Sequence, residues 1–149
     1  MTDDGSGHRV AVLTSDRQSG TVDVEDLAAL ARAVLTAEGH EHVELSLSFV
    51  DETEMTELHE RFMHESGPTD VLTFPLDEDD RTELGARLLG DVIIAPSVAA
   101  RNNPDDPQAE LRLLTVHGVL HILGYDHEED AERADMWARQ ERYSGVRVP

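Results

Sequence analysis

The chain has 149 residues and a formal charge of −20, from 12 basic against 32 acidic side chains. Every basic residue is Arg and there is no Cys, which excludes disulfides, thiolate metal sites, cysteine nucleophiles and the chemistries that need a lysine. So large a negative charge also opposes unspecific attraction to nucleic acid or anionic membranes. At this length a chain buries about 70% of its unfolded surface, enough for a core without staples, so a single domain over 1–149 is expected. The first residues carry no basic segment followed by an apolar run, and no apolar stretch approaches the length of a membrane span, so a cytoplasmic location is expected.

Residues 1–7 are polar and contain glycine, which reads as a frayed end. Val10 to Leu13 reads as a first strand. Asp23 with Asp26 signals a helix N-cap, and Leu27, Leu30, Ala31, Val34 and Leu35 follow at helical spacing up to Gly39. Val43, Leu45, Leu47 and Phe49 alternate with polar residues, the pattern of a half-buried strand. Asp51 with Glu54 opens a second helix through Met55, Leu58 and Phe62 to about His64, and Gly67-Pro68 breaks it. Asp70 to Phe74 reads as a strand at or near a sheet edge, because Pro75 follows. The run 77–83 is a solvated acidic loop that would repel RNA. Leu88 to Ala95 is a strand with a Gly-Asp inside it, and a short helix follows Pro96. After the turn at Asn102-Asn103-Pro104 a long helix runs from about Gln108 to Leu123. A last helix begins near Glu128, with Met136 and Trp137 expected in the core. The whole is an α+β domain with one mixed sheet of about four strands.

The informative segment is HGVLHILGYDH, residues 117–127. His117 and His121 are four apart, so one helical turn puts both imidazoles on the same face. Gly124 sits where a helix commonly turns off, and the returning chain can bring His127 to the other two. Three neutral nitrogens with an open fourth position are the donor set of catalytic zinc. The spacing matches the zinc-peptidase pattern H-E-x-x-H-x-x-G-x-x-H, except that Gly118 stands where those enzymes carry their general base. A zincin-like metal helix without the peptidase glutamate is therefore expected, and peptide hydrolysis is disfavoured. Beyond a water on the metal, no catalytic group stands out. Asp126 either orients a histidine as its hydrogen-bond partner or serves only the turn.

With GPTDVLTFPLDE (67–78) and LGDVIIAP (89–96), which occur in the same order, the histidine motif makes the chain resemble the YbeY family of endoribonucleases. The resemblance implies zinc held by His117, His121 and His127, and cleavage of single-stranded RNA. It also implies a role in 16S rRNA 3′-end maturation and ribosome quality control. The implied partners are precursor ribosomal RNA, a small-subunit ribosomal protein and an assembly GTPase, with no membrane. The family often carries an RNA-contacting arginine six residues before the Thr of P-T-[DN]-V-L-[ST]-F-P. That position is Met63 here, read as core-facing or groove-lining. Arg61 can replace it only if the helix end is irregular, since two helical residues rotate the side chain by about 200°. Arg87, Arg139 and Arg142 are the other candidates. Thr69 and Asp70 either shape the substrate cleft beside the metal or, for Asp70, begin the strand. Asp91 either ends a strand near the site or, the preferred reading, serves a turn, and His59 and His64 read as surface residues without a chelating partner. Two other functions compete: a ribosome-assembly factor with a structural metal, which the acidic charge suits, and a metallopeptidase, which Gly118 disfavours.

Overall fold

The computed structural model describes residues 9–125 and 129–146. In chain order these form β1 (Val10–Arg17), α1 (Val24–Ala37), β2 (Val43–Val50), α2 (Glu52–Met63), β3 (Val71–Pro75), β4 (Arg87–Ile94), α3 (Pro96–Asn102), α4 (Pro107–Ile122) and α5 (Asp130–Ser144). The strands make one mixed sheet in the order β1-β2-β4-β3. β1, β2 and β4 run parallel, and β3 lies antiparallel to β4 at the edge that Pro75 predicts. The α+β architecture is thus the expected one. The first strand extends four residues beyond Leu13 because Arg17 still pairs with Val50. The segment 1–7 lies outside the described residues, and among those described no helix is long and apolar enough to cross a membrane.

The two faces of the sheet follow from strand alternation. Leu45, Leu47, Phe49, Val92 and Ile94 point into the main core, where they meet α1 and α4. Leu72, Ile93, Ala95 and Val50 point the other way, and Met55 and Leu58 of α2 cover them. Both predicted caps close: Asp23 Oδ1 accepts from Asp26 N at 3.1 Å, and Asp51 Oδ1 from Glu54 N at 2.8 Å. Each satisfies an otherwise unpaired amide in the first turn. Asp91 is not a turn residue. It lies inside β4, paired with Ser46 on one side and Phe74 on the other, just after a register shift that leaves Leu89 bulged between Leu88 and Gly90.

α4 packs unusually close to the sheet. A Cβ at Gly118 would stand 2.6 Å from Val92 Cγ1, inside any real carbon–carbon contact. Two polar ties at opposite ends of α1 hold the outer helices in place. Near its start, Asp26 accepts from Arg112 Nη1 at 2.6 Å and from Gln108 Nε2 at 3.1 Å, and the bond from Arg112 holds the Asp26 carboxyl below its ordinary range. Just past its end, Glu38 accepts from Tyr125 Oη at 2.5 Å, from Arg139 Nη1 at 2.7 Å and from the Tyr143 hydroxyl. The Arg139 guanidinium also lies 4.8 Å from the centre of the Tyr125 ring. Burial by itself would raise the Glu38 carboxyl, but the Tyr125 and Tyr143 hydroxyls and Arg139 outweigh it and leave it below the usual range. The same bond to Glu38 pushes Tyr125 up to about 12.

Two outcomes follow. Gly118→Ala should destabilise the fold by about 1–3 kcal/mol through overpacking, although alanine is the better helix former by about 1 kcal/mol. Combining it with Val92→Ala should cost less than the two single losses added together. Urea unfolding of the three variants checks this, and a neutral Gly118→Ala would show that α4 sits further off. The second concerns pH. A carboxyl depressed on folding contributes stability above its unfolded pKa of about 4.3, and that stability is lost as pH falls through the folded value. A phenol raised on folding contributes below about 10, and that part is lost as pH rises towards the folded value. Glu38→Gln should therefore cost about 2 kcal/mol at pH 7 and clearly less in acid, below the folded pKa. An equal loss at both pH values would contradict the role given to the carboxylate.

Candidate metal centre

α4 carries the site. Asp106 caps it, accepting from Ala109 N at 3.1 Å, and Pro107 occupies its first turn. Leu111, Leu114, Thr115, Val116, Gly118, Val119, Leu120 and Ile122 are all buried, so the helix is enclosed on most sides. His117 is half-buried and His121 exposed. Their ring centroids are 6.3 Å apart and the planes differ by 27°, as the four-residue spacing requires. The helix ends where Gly124 takes φ +101°, a conformation costly to any residue with a Cβ. Tyr125 N then donates back to Leu120 O at 3.0 Å.

Each ring is tethered through Nδ1. His117 Nδ1–H donates to Gln140 Oε1 at 2.8 Å; the amide oxygen bears no hydrogen, so the imidazole must be the donor. His121 Nδ1 lies 3.2 Å from Thr73 Oγ1 on the edge strand. A histidine whose Nδ1–H is held by an acceptor presents the lone pair of Nε2, the arrangement found around metal-bound imidazoles. Trp137 stands edge-on to His117 with centroids 6.1 Å apart. It is 39% exposed, unlike Met136 at 0%, so only Met136 of that pair belongs to the core. The helical period explains the split: Met136, Gln140 and Ser144 share the inner face of α5, and Trp137 lies one residue round from it.

Asp126 and His127 lie outside the described residues. Among those described, no group of three or more candidate ligands comes together. Asp70 stands one residue before β3 and does not begin it, although its backbone O accepts from Ala95 N at 3.0 Å and its Oδ2 from Asn102 Nδ2 at 3.3 Å. Thr69, beside it, is half-buried. Burial, and then the charge of Asp70, raises the Glu110 carboxyl above its usual range. Arg61 is exposed on α2, its guanidinium 5.6 Å from the centre of the Phe62 ring, which in turn meets Phe74 edge-on at 5.3 Å. Because α2 covers the face of the sheet opposite α4, Arg61 and the histidines stand on either side of β3. Met63 is 41% exposed and does not face the core. His64 takes φ 57° and ends α2 in a left-handed cap, so that helix end does leave regular geometry, though only after Arg61. His59 is not a surface residue: its Nδ1 lies 2.8 Å from Gly67 O, tying α2 to the loop before β3. Arg139 is committed to Glu38 and Asp135, and Arg142 lies over the Tyr143 ring. Arg87 begins β4, its amide donating to His42 O. Gln140 and Glu38 carry no motif signal, since each acts across the fold, and Thr73, though inside the 67–78 motif, is not linked to His121 by any spacing.

Three comparisons bear on this arrangement. A family model described as Endoribonuclease YbeY matches residues 13–145. Among similar proteins, the Endoribonuclease YbeY of Beutenbergia cavernae is 46% identical over 136 residues, covering 86% of this chain and 91% of its own length. That of Acidothermus cellulolyticus is 52% identical over 134 residues, covering 80% and 81%. A solution structure of TM1509 from Thermotoga maritima superposes with a TM-score of 0.63 at 31% identity, over 89% of this chain and 86% of that one. The matched range runs from within β1 to the end of α5, the tethered histidines included, and the chain belongs to the endoribonuclease YbeY family.

Proposed function

We propose that the chain is a metal-dependent endoribonuclease that cuts single-stranded precursor ribosomal RNA, in 16S rRNA 3′-end maturation and in ribosome quality control. The observation that supports it most is the pair of imidazoles one turn apart on α4, with Nδ1 of His117 against Gln140 Oε1 and Nδ1 of His121 against Thr73 Oγ1. Neutral nitrogen donors on a rigid helix fit zinc. His117, His121 and His127 would hold the ion. When bound, it supplies Lewis acidity towards a phosphoryl oxygen and lowers the pKa of a coordinated water.

The chain's own residues set what the site accepts. Gly118, at the position of the peptidase base, lies against Val92 with no room for a side chain, which disfavours the metallopeptidase reading. Trp137 offers an exposed aromatic surface beside His117, and unpaired bases stack on such rings where paired ones cannot. Arg61 would meet the RNA backbone beyond the edge strand β3, with Thr69 and Asp70 lining the approach to β3. The partners would be the ribosomal RNA precursor, a small-subunit ribosomal protein and an assembly GTPase, acting in the cytoplasm. The charge of −20 favours a second reading, an assembly factor that docks on basic ribosomal proteins and keeps the metal for its fold alone.

Chelation followed by zinc return separates the two. The nuclease reading expects cleavage of a single-stranded RNA to vanish and come back. It also expects His117→Ala to lose more than the about 10–100-fold that goes with partners of metal ligands, with the melting temperature of the metal-free chain nearly unchanged. Cleavage indifferent to chelation, with contaminating nuclease excluded, would sink it. A collapse of the His117→Ala fold together with lost ribosome association would favour the assembly factor.

A further inference from the structure

We propose that Gln140 is a positioning residue for the metal site: its amide oxygen holds His117 in the Nδ1–H tautomer and thereby selects Nε2 as the ligating nitrogen. The metal half of this inference rests on the function proposed above; the tautomer half does not.

The case begins with an oddity of α5. Its inner face, one residue per turn, reads Met136, Gln140, Ser144, at 0%, 6% and 2% exposure. A polar amide on the buried face of a helix costs free energy unless it is hydrogen-bonded, and leucine would fill such a position without that cost. Ser144 is explained by the helix end, where its hydroxyl donates to Gln140 O at 2.6 Å and accepts from Val146 N at 3.0 Å. The Gln140 side chain meets His117 instead, at 2.8 Å. With Oε1 turned to the ring, the bond runs from Nδ1–H to the amide oxygen. An unrestrained imidazole favours the Nε2–H form, which would turn a hydrogen rather than a lone pair towards the ion.

The reach of Gln140 is preset by the surrounding ties. Arg112 Nε donates to Ser144 O at 3.3 Å, binding the end of α5 to α4. Arg139, the neighbour of Gln140, is anchored on Glu38. The amide therefore meets His117 from a helix fixed on both sides of it. Glutamine is also neutral, so it orients the ring without adding a negative charge to the site, as a carboxylate in its place would.

The test uses the full chain with Gln140→Leu and Gln140→Glu, the second of which keeps the acceptor; Gln140→Met serves if the leucine variant fails to fold. Long-range ¹⁵N–¹H spectra of the metal-free protein, at a pH where the imidazoles are neutral, read the tautomer of His117. Wild type and Gln140→Glu should show Nδ1–H, and the apolar variant should shift towards Nε2–H. Competition with a chromogenic chelator then reads Zn²⁺ affinity, and the fluorescence of Trp137, the sole tryptophan, reports occupancy beside it. The apolar variant should bind Zn²⁺ about 10–100-fold more weakly, and Gln140→Glu should restore the affinity. A tautomer unchanged in the apolar variant overturns the proposal, as does equal weakening by both variants. If wild type takes up no Zn²⁺, the functional reading fails, and the tautomer spectra still decide what Gln140 does.

Discussion

The site depends on how tightly α4 is wedged. Eight of its sixteen residues are buried, and Gly118 lies against Val92 with no space for a methyl group. Such a helix has little freedom to roll. A one-residue slip would turn it by about 100°, drive an imidazole into the sheet and lift a valine or leucine into water. Both changes are costly, the first through an unpaired buried polar group and the second through lost apolar burial. Packing therefore selects the one rotation in which His117 and His121 share an open sector. The glycine that removes the peptidase base is the residue that permits this approach.

The remaining freedom of the site is taken up by polar ties anchored on α1. Asp26 and Glu38 lie twelve residues apart, about 18 Å along a helical axis, one near the start of the helix and one just past its end. The first reaches α4 through Arg112 and Gln108; the second reaches Tyr125 beyond α4 and Arg139 and Tyr143 on α5. Apolar contacts are non-directional and tolerate small shifts, whereas these bonds have defined lengths and angles. The arrangement divides the labour: the core decides that the helices pack, and the two acidic residues decide where. Tyr125 matters here because its hydroxyl, held by Glu38, fixes the chain just past the end of α4.

Much of this was legible in the sequence because it is local. Alternation in Val43 to Phe49, the caps Asp23 and Asp51, Pro75 at a sheet edge and Gly124 at a helix end are each set by neighbours within a few residues, and each is found where expected. The four-residue spacing of His117 and His121 is local too. Gln140 was not legible: it stands 23 residues from His117 and 48 separate Thr73 from His121, so no spacing rule links them. Nothing in the sequence marks Glu38, because only the packing of α5 brings Arg139 and Tyr143 to it. Trp137 misleads for another reason. Residue type suggests burial, but on α5 the period assigns that place to Met136 and Gln140. The partner of His59 is a backbone carbonyl, Gly67 O, which leaves no trace in side-chain patterns. His127 and Asp126 stand outside the described residues, so the third ligand is an expectation from spacing and resemblance.

Electrostatics then constrain how such a chain can meet a polyanion. Arg17, Arg101, Arg112, Arg133 and Arg139 each face a carboxylate, so much of the small positive complement is neutralised where it stands. The long-range field of a chain with charge −20 repels RNA at low salt, and screening confines that repulsion to about 8–10 Å at physiological ionic strength. Diffusional steering, which lets basic nucleases find RNA quickly, is therefore unavailable. On the proposed function, attraction has to be short-ranged and concentrated where the metal would sit and where Trp137 and Arg61 lie around the edge strand. The same repulsion discourages promiscuous cutting, because RNA that is not already held nearby has no reason to approach. On the proposed function, a basic ribosomal surface attracted by the charge of −20 would supply that proximity, so that the acidity would make cleavage depend on delivery.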